Sequence, residues 1–183
     1  MSADSRQKTK PDGDQIEVAI VGKTVYLKPH GLASQENSLG IPDFLEAMFR
    51  AGCRDVVFDL EDCRGMDSTF LGVIADAATS LPRVPGKTVV VLNANERACR
   101  QLRRIGLTPL ICMHAGEVEV PSELKFRKID FVHLPKNESE RLQKIKKLHQ
   151  QLASLNEKNK KTFAPFIEML EEELEQEQAE EQQ

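Results

Sequence analysis

The sequence predicts an α/β protein: a mixed sheet opened by a β-hairpin with helices packed on it, followed by a helical C-terminal extension. Three observations carry that expectation. Two compact apolar runs, Val56 to Leu60 and Thr88 to Leu92, read as strands covered on both faces of a sheet. Each leads into apolar residues at helical spacing, and strands that alternate with helices after an opening hairpin build a sheet with helices packed against it. Past Pro135 the composition changes abruptly to a charged stretch with a single apolar seam.

Residues 1–14 are polar, contain Pro11 and Gly13 and show no periodic apolar face, so they are expected to form a disordered arm. Ile16, Val18 and Ile20 alternate with Glu17 and Ala19, and Val25 and Leu27 follow Gly22-Lys23-Thr24, the pattern of a hairpin that Pro29 and Gly31 would end. Ile41, Phe44, Leu45 and Met48 recur at i, i+3, i+4 and i+7, with Pro42 near the start and Gly52 past the end of the predicted first helix. Pro85-Gly86 marks a turn before the second buried strand. Asn93 with Glu96 three residues on suggests a capping box, and Ala98, Leu102 and Ile105 then define a helix stopped by Gly106. Arg97, Arg100, Arg103 and Arg104 cover its outer face, either as a solvated surface or as a docking surface for an acidic partner or lipid headgroup. Leu110 to Met113 is a last short strand, with Val118 and Val120, or Phe126 to Val132, as further candidates. The globular domain is therefore expected to span residues 15–135.

Residues 136–183 form the extension, basic and then acidic. Leu142, Ile145, Leu148, Leu152 and Leu155 make one helical seam, which resumes as Phe163, Phe166, Ile167, Leu170 and Leu174, with an interruption expected near Thr162 to Pro165. Residues 136–161 hold 8 Lys or Arg against 3 Asp or Glu, whereas residues 162–183 hold 8 Glu and no basic residue. A lone helix with such a seam needs a cover, whether the domain, its own second half or another copy, so self-association through these helices is a candidate. The end from Gln176 to Gln183 is expected to fray.

The chain is organised around residues 55–78. A strand runs into a loop, Glu61 to Met66, and delivers Asp67, Ser68 and Thr69 to the first turn of a helix whose apolar residues, Phe70, Leu71, Val73, Ile74, Ala75, Ala77 and Ala78, are interrupted by one charge, Asp76. Such a helix must be packed against something. Hydroxyls and a carboxylate at this place are explained by N-capping, worth about 1 kcal/mol, or by a regulated serine, because free N–H groups and the helix dipole seat a phosphate well.

The octet MDSTFLGV, with its strand before and helix after, resembles the STAS domain and within it the bacterial anti-sigma-factor antagonists. The resemblance extends in outline from Gln15 to Met113. It implies the same α/β architecture and assigns Ser68 as the serine phosphorylated by an anti-sigma factor that is itself a serine kinase; Thr69, one residue deeper in the helix, is the runner-up acceptor. It further implies a partner-binding segment of Asp67, Ser68, Thr69, Phe70, Leu71 and Gly72, in which Phe70 is either a contact anchor or a core residue, and a serine phosphatase acting on phosphorylated Ser68. The chain departs from the family pattern at Phe70, where a glycine is usual, and at His30-Gly31-Leu32-Ala33, where an aspartate usually closes the motif.

Composition narrows the classes. A hydrophobic fraction of 40% in 183 residues supports one core with an appendage. A net charge of −4 argues against a nucleic-acid binder. Without an apolar run of about 18 residues, neither a membrane span nor a signal peptide is expected, which points to the cytoplasm. Cys53, Cys63, Cys99 and Cys112 lack C-x-x-C spacing and are expected to be reduced and mostly buried; no metal or cofactor is expected. No G-x-S-x-G, H-E-x-x-H or P-loop pattern occurs, and His30, His114, His133 and His149 are isolated in sequence, so the chain is not expected to be an enzyme.

The expected function is that of a phosphorylation-regulated protein-binding module in signal transduction and transcription regulation, an antagonist that sequesters a kinase anti-sigma factor. A phosphate on Ser68 would add a charge of about −1.5 to −2 beside Asp67 and near Asp59, Glu61 and Asp62. The alternative is a non-switching STAS adaptor or scaffold in a signalling or lipid-transport assembly.

Overall fold

The computed structural model describes residues 13–79, 88–114, 120–121, 123–129 and 134–180. Strands β1 (Gln15–Val21) and β2 (Thr24–Ala33) form the hairpin, then come helices α1 (Gln35–Ser38) and α2 (Ile41–Arg50). Strands β3 (Asp55–Asp59) and β4 (Cys63–Met66) precede helix α3 (Ser68–Thr79). Strand β5 (Val89–Leu92), helix α4 (Glu96–Ile105) and the short strands β6 (Cys112–Met113) and β7 (Arg127–Lys128) follow, and the chain ends in helices α5 (Glu138–Ser154) and α6 (Glu157–Glu180). The sheet order is β6-β5-β3-β2-β1-β7, with β4 beside β2. It is mixed, as expected: β1 runs antiparallel to β2 and β7, while β2, β3, β5 and β6 run parallel.

The hairpin turns through Gly22-Lys23, with Gly22 at φ 60°, a conformation that suits the twist of paired strands. Contrary to expectation, neither Pro29 nor Gly31 ends β2. Pro29 stands opposite Ile16 in the ladder, and Gly31, at φ 71°, bends the strand so that its last residues leave β1 and pair with β4. That backbone angle favours glycine at 31, and a Cβ there would also push Asp14, whose Oδ1 lies 2.0 Å from its position, out of its bonds to the Leu32 N–H and Arg64. The stretch expected as a loop, Glu61 to Met66, therefore contains a strand. Its partner exists only because β2 continues past its bend.

Strand β3 lies at the sheet centre, and Val56 and Phe58 are fully buried. Phe70 of α3 meets Phe58 edge-on, with centroids 6.0 Å apart and planes at 88°. On its other side α3 is covered by α5, which accounts for a helix buried at every position from Thr69 to Ala77. Gly52 at φ 100° and Gly106 at φ 84° stop α2 and α4 as expected.

Two terminators differ from expectation. The N-cap of α4 is Asn95, which accepts from the Ala98 N–H at 2.9 Å, and not Asn93. Asn93 takes a left-handed φ of 56° and donates to Asp59 Oδ1 at 2.7 Å. In the extension the helices part at Leu155-Asn156, and Pro165 lies inside α6. Asn156 caps α6 by accepting from the Asn159 N–H at 2.9 Å.

Helices α5 and α6 fold back on each other as an antiparallel pair. Lys146 reaches Glu171 at 3.4 Å, and His149 packs between the rings of Phe163 and Phe166, with centroids 5.7 and 4.6 Å away. The seam residues Leu142, Ile145, Leu148, Leu152, Leu170 and Leu174 belong to the same buried cluster as the sheet. The seam proposed for self-association is thus covered within one chain. Lys144 pairs with Asp43 of α2, a second tie between the extension and the sheet-packed helices. Helix α6 continues through most of the expected fraying end, to Glu180. Residues 1–12 of the expected arm, the Pro85-Gly86 turn, Val118 and His133 lie outside the described residues. Among the described residues no helix is long and apolar enough to cross a membrane.

Candidate functional site

The segment Asp67 to Gly72 follows directly from β4. The Asp67 N–H donates to the Ala33 carbonyl at 3.0 Å, so the end of β2 fixes where α3 begins. Asp67 is the N-cap: Oδ1 accepts from the Phe70 N–H and Oδ2 from the Gln35 N–H, each at 2.8 Å. One carboxylate thereby joins the starts of α1 and α3.

Ser68 opens α3 and is not needed as its cap. Its Oγ lies 2.9 Å from Nε2 of His149, on α5 and 81 residues away in sequence. The other ring nitrogen, Nδ1, lies 2.8 Å from the Ile145 carbonyl, which can only accept. Nδ1 therefore carries the proton, and Nε2 accepts from the Ser68 hydroxyl. Burial pushes the His149 pKa down, against the opposing pull of the Ile145 carbonyl and the Asp67 charge, so the ring is neutral at neutral pH. At 2% exposure, His149 is a core residue that nonetheless touches the candidate serine.

The remaining segment points inward. Thr69, Phe70 and Leu71 are buried, and Phe70, at 0% exposure, is core and not an exposed contact anchor. Gly72 faces α5: a Cβ there would come within 2.8 Å of both Cβ and the carbonyl oxygen of Leu148. Asp67 and Ser68 are half-buried. The structure thus brings all six residues together in one turn-and-a-half of chain, with Ser68 and Gly72 against α5 and Phe70 against the sheet.

The acids expected near a phosphate are engaged elsewhere. Lys28, buried on β2, reaches Asp59 at 3.4 Å and Asp62 at 3.2 Å and pairs with Glu61. Burial acts to lower the Lys28 pKa, but the three carboxylates outweigh it and hold the ammonium above its ordinary range. His30 pairs with Glu17 at 2.8 Å and lies 3.5 Å from Asp62 of the same cluster. Cys53, Cys63 and Cys99 are buried free thiols, while Cys112 is exposed; burial pushes the Cys63 thiol up, away from reactivity. Arg97, Arg100, Arg103 and Arg104 are exposed, and Arg100 pairs with Glu96 at 3.1 Å.

Sequence reasoning missed His149. Its signal was its place in the seam: residues 145, 148, 149 and 152 share one helical face, so a histidine there had to be buried beside leucines. Asn159 was missed for the same reason. It is buried and donates to the carbonyls of Leu152 at 3.0 Å and Ile105 at 2.8 Å, which fastens the start of α6 to the end of α4.

No family model matches this chain, and no curated protein does. Among solved structures, it is similar to the anti-sigma factor antagonist SpoIIAA in its unphosphorylated form, at 18% identity over 56% of this chain and 89% of that one, with a TM-score of 0.47. The phosphorylated form of the Bacillus cell fate determinant SpoIIAA gives 18% identity over 55% of this chain and 91% of that one, with a TM-score of 0.46. A Thermotoga maritima protein described as a candidate anti-sigma factor antagonist gives 23% identity over 54% of this chain and 84% of that one, with a TM-score of 0.48.

Proposed function

We propose that this chain is a protein-binding module of the STAS type, an anti-sigma-factor antagonist that sequesters a serine-kinase anti-sigma factor and is regulated at Ser68. The observation that carries the reading is the division of labour at the start of α3. Asp67 alone satisfies the cap, so the Ser68 oxygen is left for another use at the positive end of a helix. In this reading the half-buried Asp67 and Ser68 contribute directly to the partner-binding region, Gly72 continues that face beneath α5, and Thr69, Phe70 and Leu71 hold it from within. A phosphate there weakens binding by its charge and by the loss of its hydration at the contact.

A second reading, a constitutive adaptor or scaffold of the same fold, is favoured by one feature. Ala33, where the family pattern has an acid, is fully buried, and the contact it makes near Ser68 is through its carbonyl to Asp67. The two readings separate in one experiment. The full chain is isolated from its native host, Ser68 is examined for phosphate by mass spectrometry, and any co-isolated serine kinase of the histidine-kinase-like ATPase class is tested for binding to phosphorylated and unmodified chain. Weaker binding after phosphorylation supports the antagonist; equal binding supports the adaptor.

A further inference from the structure

The face of α3 that carries Ser68 is occupied by the chain's own α5, and the occupied interface is not purely apolar. It is polar at both ends: Ser68 donates to His149 at 2.9 Å, and Thr79 Oγ1 lies 3.2 Å from Gln151 Oε1. One helical turn beyond Gly72, and so by helical spacing on the same face, Asp76 is only 7% exposed, and its Oδ1 has no hydrogen-bond partner among the described residues. A buried carboxylate oxygen without a donor is costly. Between surfaces that never part, an alanine or leucine would serve better. On a face that is alternately covered and wet, the carboxylate has a role in the uncovered state, and mixed polar and apolar contacts are typical of such separable interfaces.

We propose that the α5–α6 hairpin is a detachable occupant of this face, competing within the chain against the partner of the unmodified site, and that phosphate on Ser68 expels the hairpin as it expels the partner. The proposal rests on the reading of Ser68 as the regulated hydroxyl. Closed, the site has no room for a phosphate along the Oγ–Nε2 line, because the two atoms are already at hydrogen-bond distance. The groups facing His149 are Asp67 from the cap of α3, the Ile145 carbonyl of its own helix, and the rings of Phe163 and Phe166 from α6. Asp67 repels a phosphate, and two aromatic rings offer it no donor. Modification requires the hairpin to lift: Ser68 Oγ forms a bond to the γ-phosphorus of a nucleoside triphosphate, the bond to the diphosphate breaks, and the hydroxyl proton passes to a base of the kinase. Once formed, the dianion prevents reclosure.

The test is amide hydrogen exchange, read by mass spectrometry, on the full-length chain and its Ser68→Glu and Gly72→Val variants. Glutamate introduces charge at the latch, and valine drives a side chain into the Leu148 backbone without charge. Amides of α5 and α6 should exchange at least about tenfold faster in both variants, while those of β3 and β5 keep their rates. Unchanged hairpin rates in both variants, or sheet rates that rise in step with the hairpin, would overturn the idea that it detaches. Opening by Gly72→Val alone would overturn the role of the phosphate. Partner binding that weakens on phosphorylation with the hairpin still protected would leave the antagonist reading intact and sink this one.

Discussion

Gly72 of α3 and Leu148 of α5 meet so closely that the glycine hydrogen occupies the only space available: a Cβ would lie 2.8 Å from the leucine carbonyl oxygen and 2.8 Å from its Cβ. The obstacle is backbone and cannot rotate away. Gly72→Ala should therefore destabilise the full chain by up to about 2 kcal/mol, because an overpacking cost of about 1–3 kcal/mol outweighs the gain of about 1 kcal/mol from alanine's helix propensity. Urea unfolding checks this, and a variant as stable as the parent would show that α5 yields without cost.

Acid should weaken the closed state through His149. Its pKa in the folded chain is held below the ordinary 6.5, chiefly by burial, so the unfolded chain takes up the proton first. The contribution is complete above about pH 6.5 and is lost as pH falls from there through the lowered folded value. His149→Gln keeps an acceptor for Ser68 and cannot titrate. Unfolding free energies measured across this range should fall more steeply with acid for the parent than for the variant; parallel curves would contradict the assigned neutral ring.

Asp67 and Ser68 should separate as cap and latch. Asp67→Ala removes acceptors for two backbone N–H groups, at Phe70 and Gln35, and should cost about 1–2 kcal/mol. Ser68→Ala leaves both of these bonds in place and should cost about 1 kcal/mol, through the loss of one hydrogen bond to a buried acceptor. Thermal melts of the two variants decide the order, and a greater loss for Ser68→Ala would return the capping role to the serine.

Lys28→Met should be among the more damaging single changes in the sheet. It leaves the fully buried Asp59 without its cation, and a buried charge robbed of its partner costs about 3–5 kcal/mol. Lys28→Met combined with Asp59→Asn should recover much of the loss, as a double-mutant cycle would record.

What the sequence revealed follows from the range of the forces involved. Strand β3, helix α2 with its Gly52 stop, and helix α4 with Gly106 are specified by neighbours a turn or a residue away, and periodicity exposes them. Strand β4 is specified by a partner: Cys63 to Met66 has little alternation, and it pairs because Gly31 bends β2 towards it. Asn93 and Asn95 both stand at a workable capping offset, and the choice fell to Asp59, which holds the Asn93 amide from a different strand. Proline at 165 attracted the expected helix break, whereas Asn156 made it, through bonds to α6 and to the Ile105 carbonyl at 3.2 Å. The Ser68–His149 contact spans 81 residues, beyond anything that local pattern encodes. The octet located the serine, but its cover could be found only by folding the chain.

The grip of Asn156 and Asn159 on the end of α4 makes the hairpin a tethered ligand. A segment held this way samples its own docking site at an effective concentration on the order of millimolar. A partner present at about micromolar levels therefore needs roughly a thousandfold tighter intrinsic affinity than the hairpin's own to hold half of the molecules open. Weakening the hairpin by about 1.4 kcal/mol lowers the absolute affinity the partner needs tenfold. Sensitivity to a partner is then set by residues that the partner never touches, with Leu148 and His149 on the hairpin as the points of adjustment.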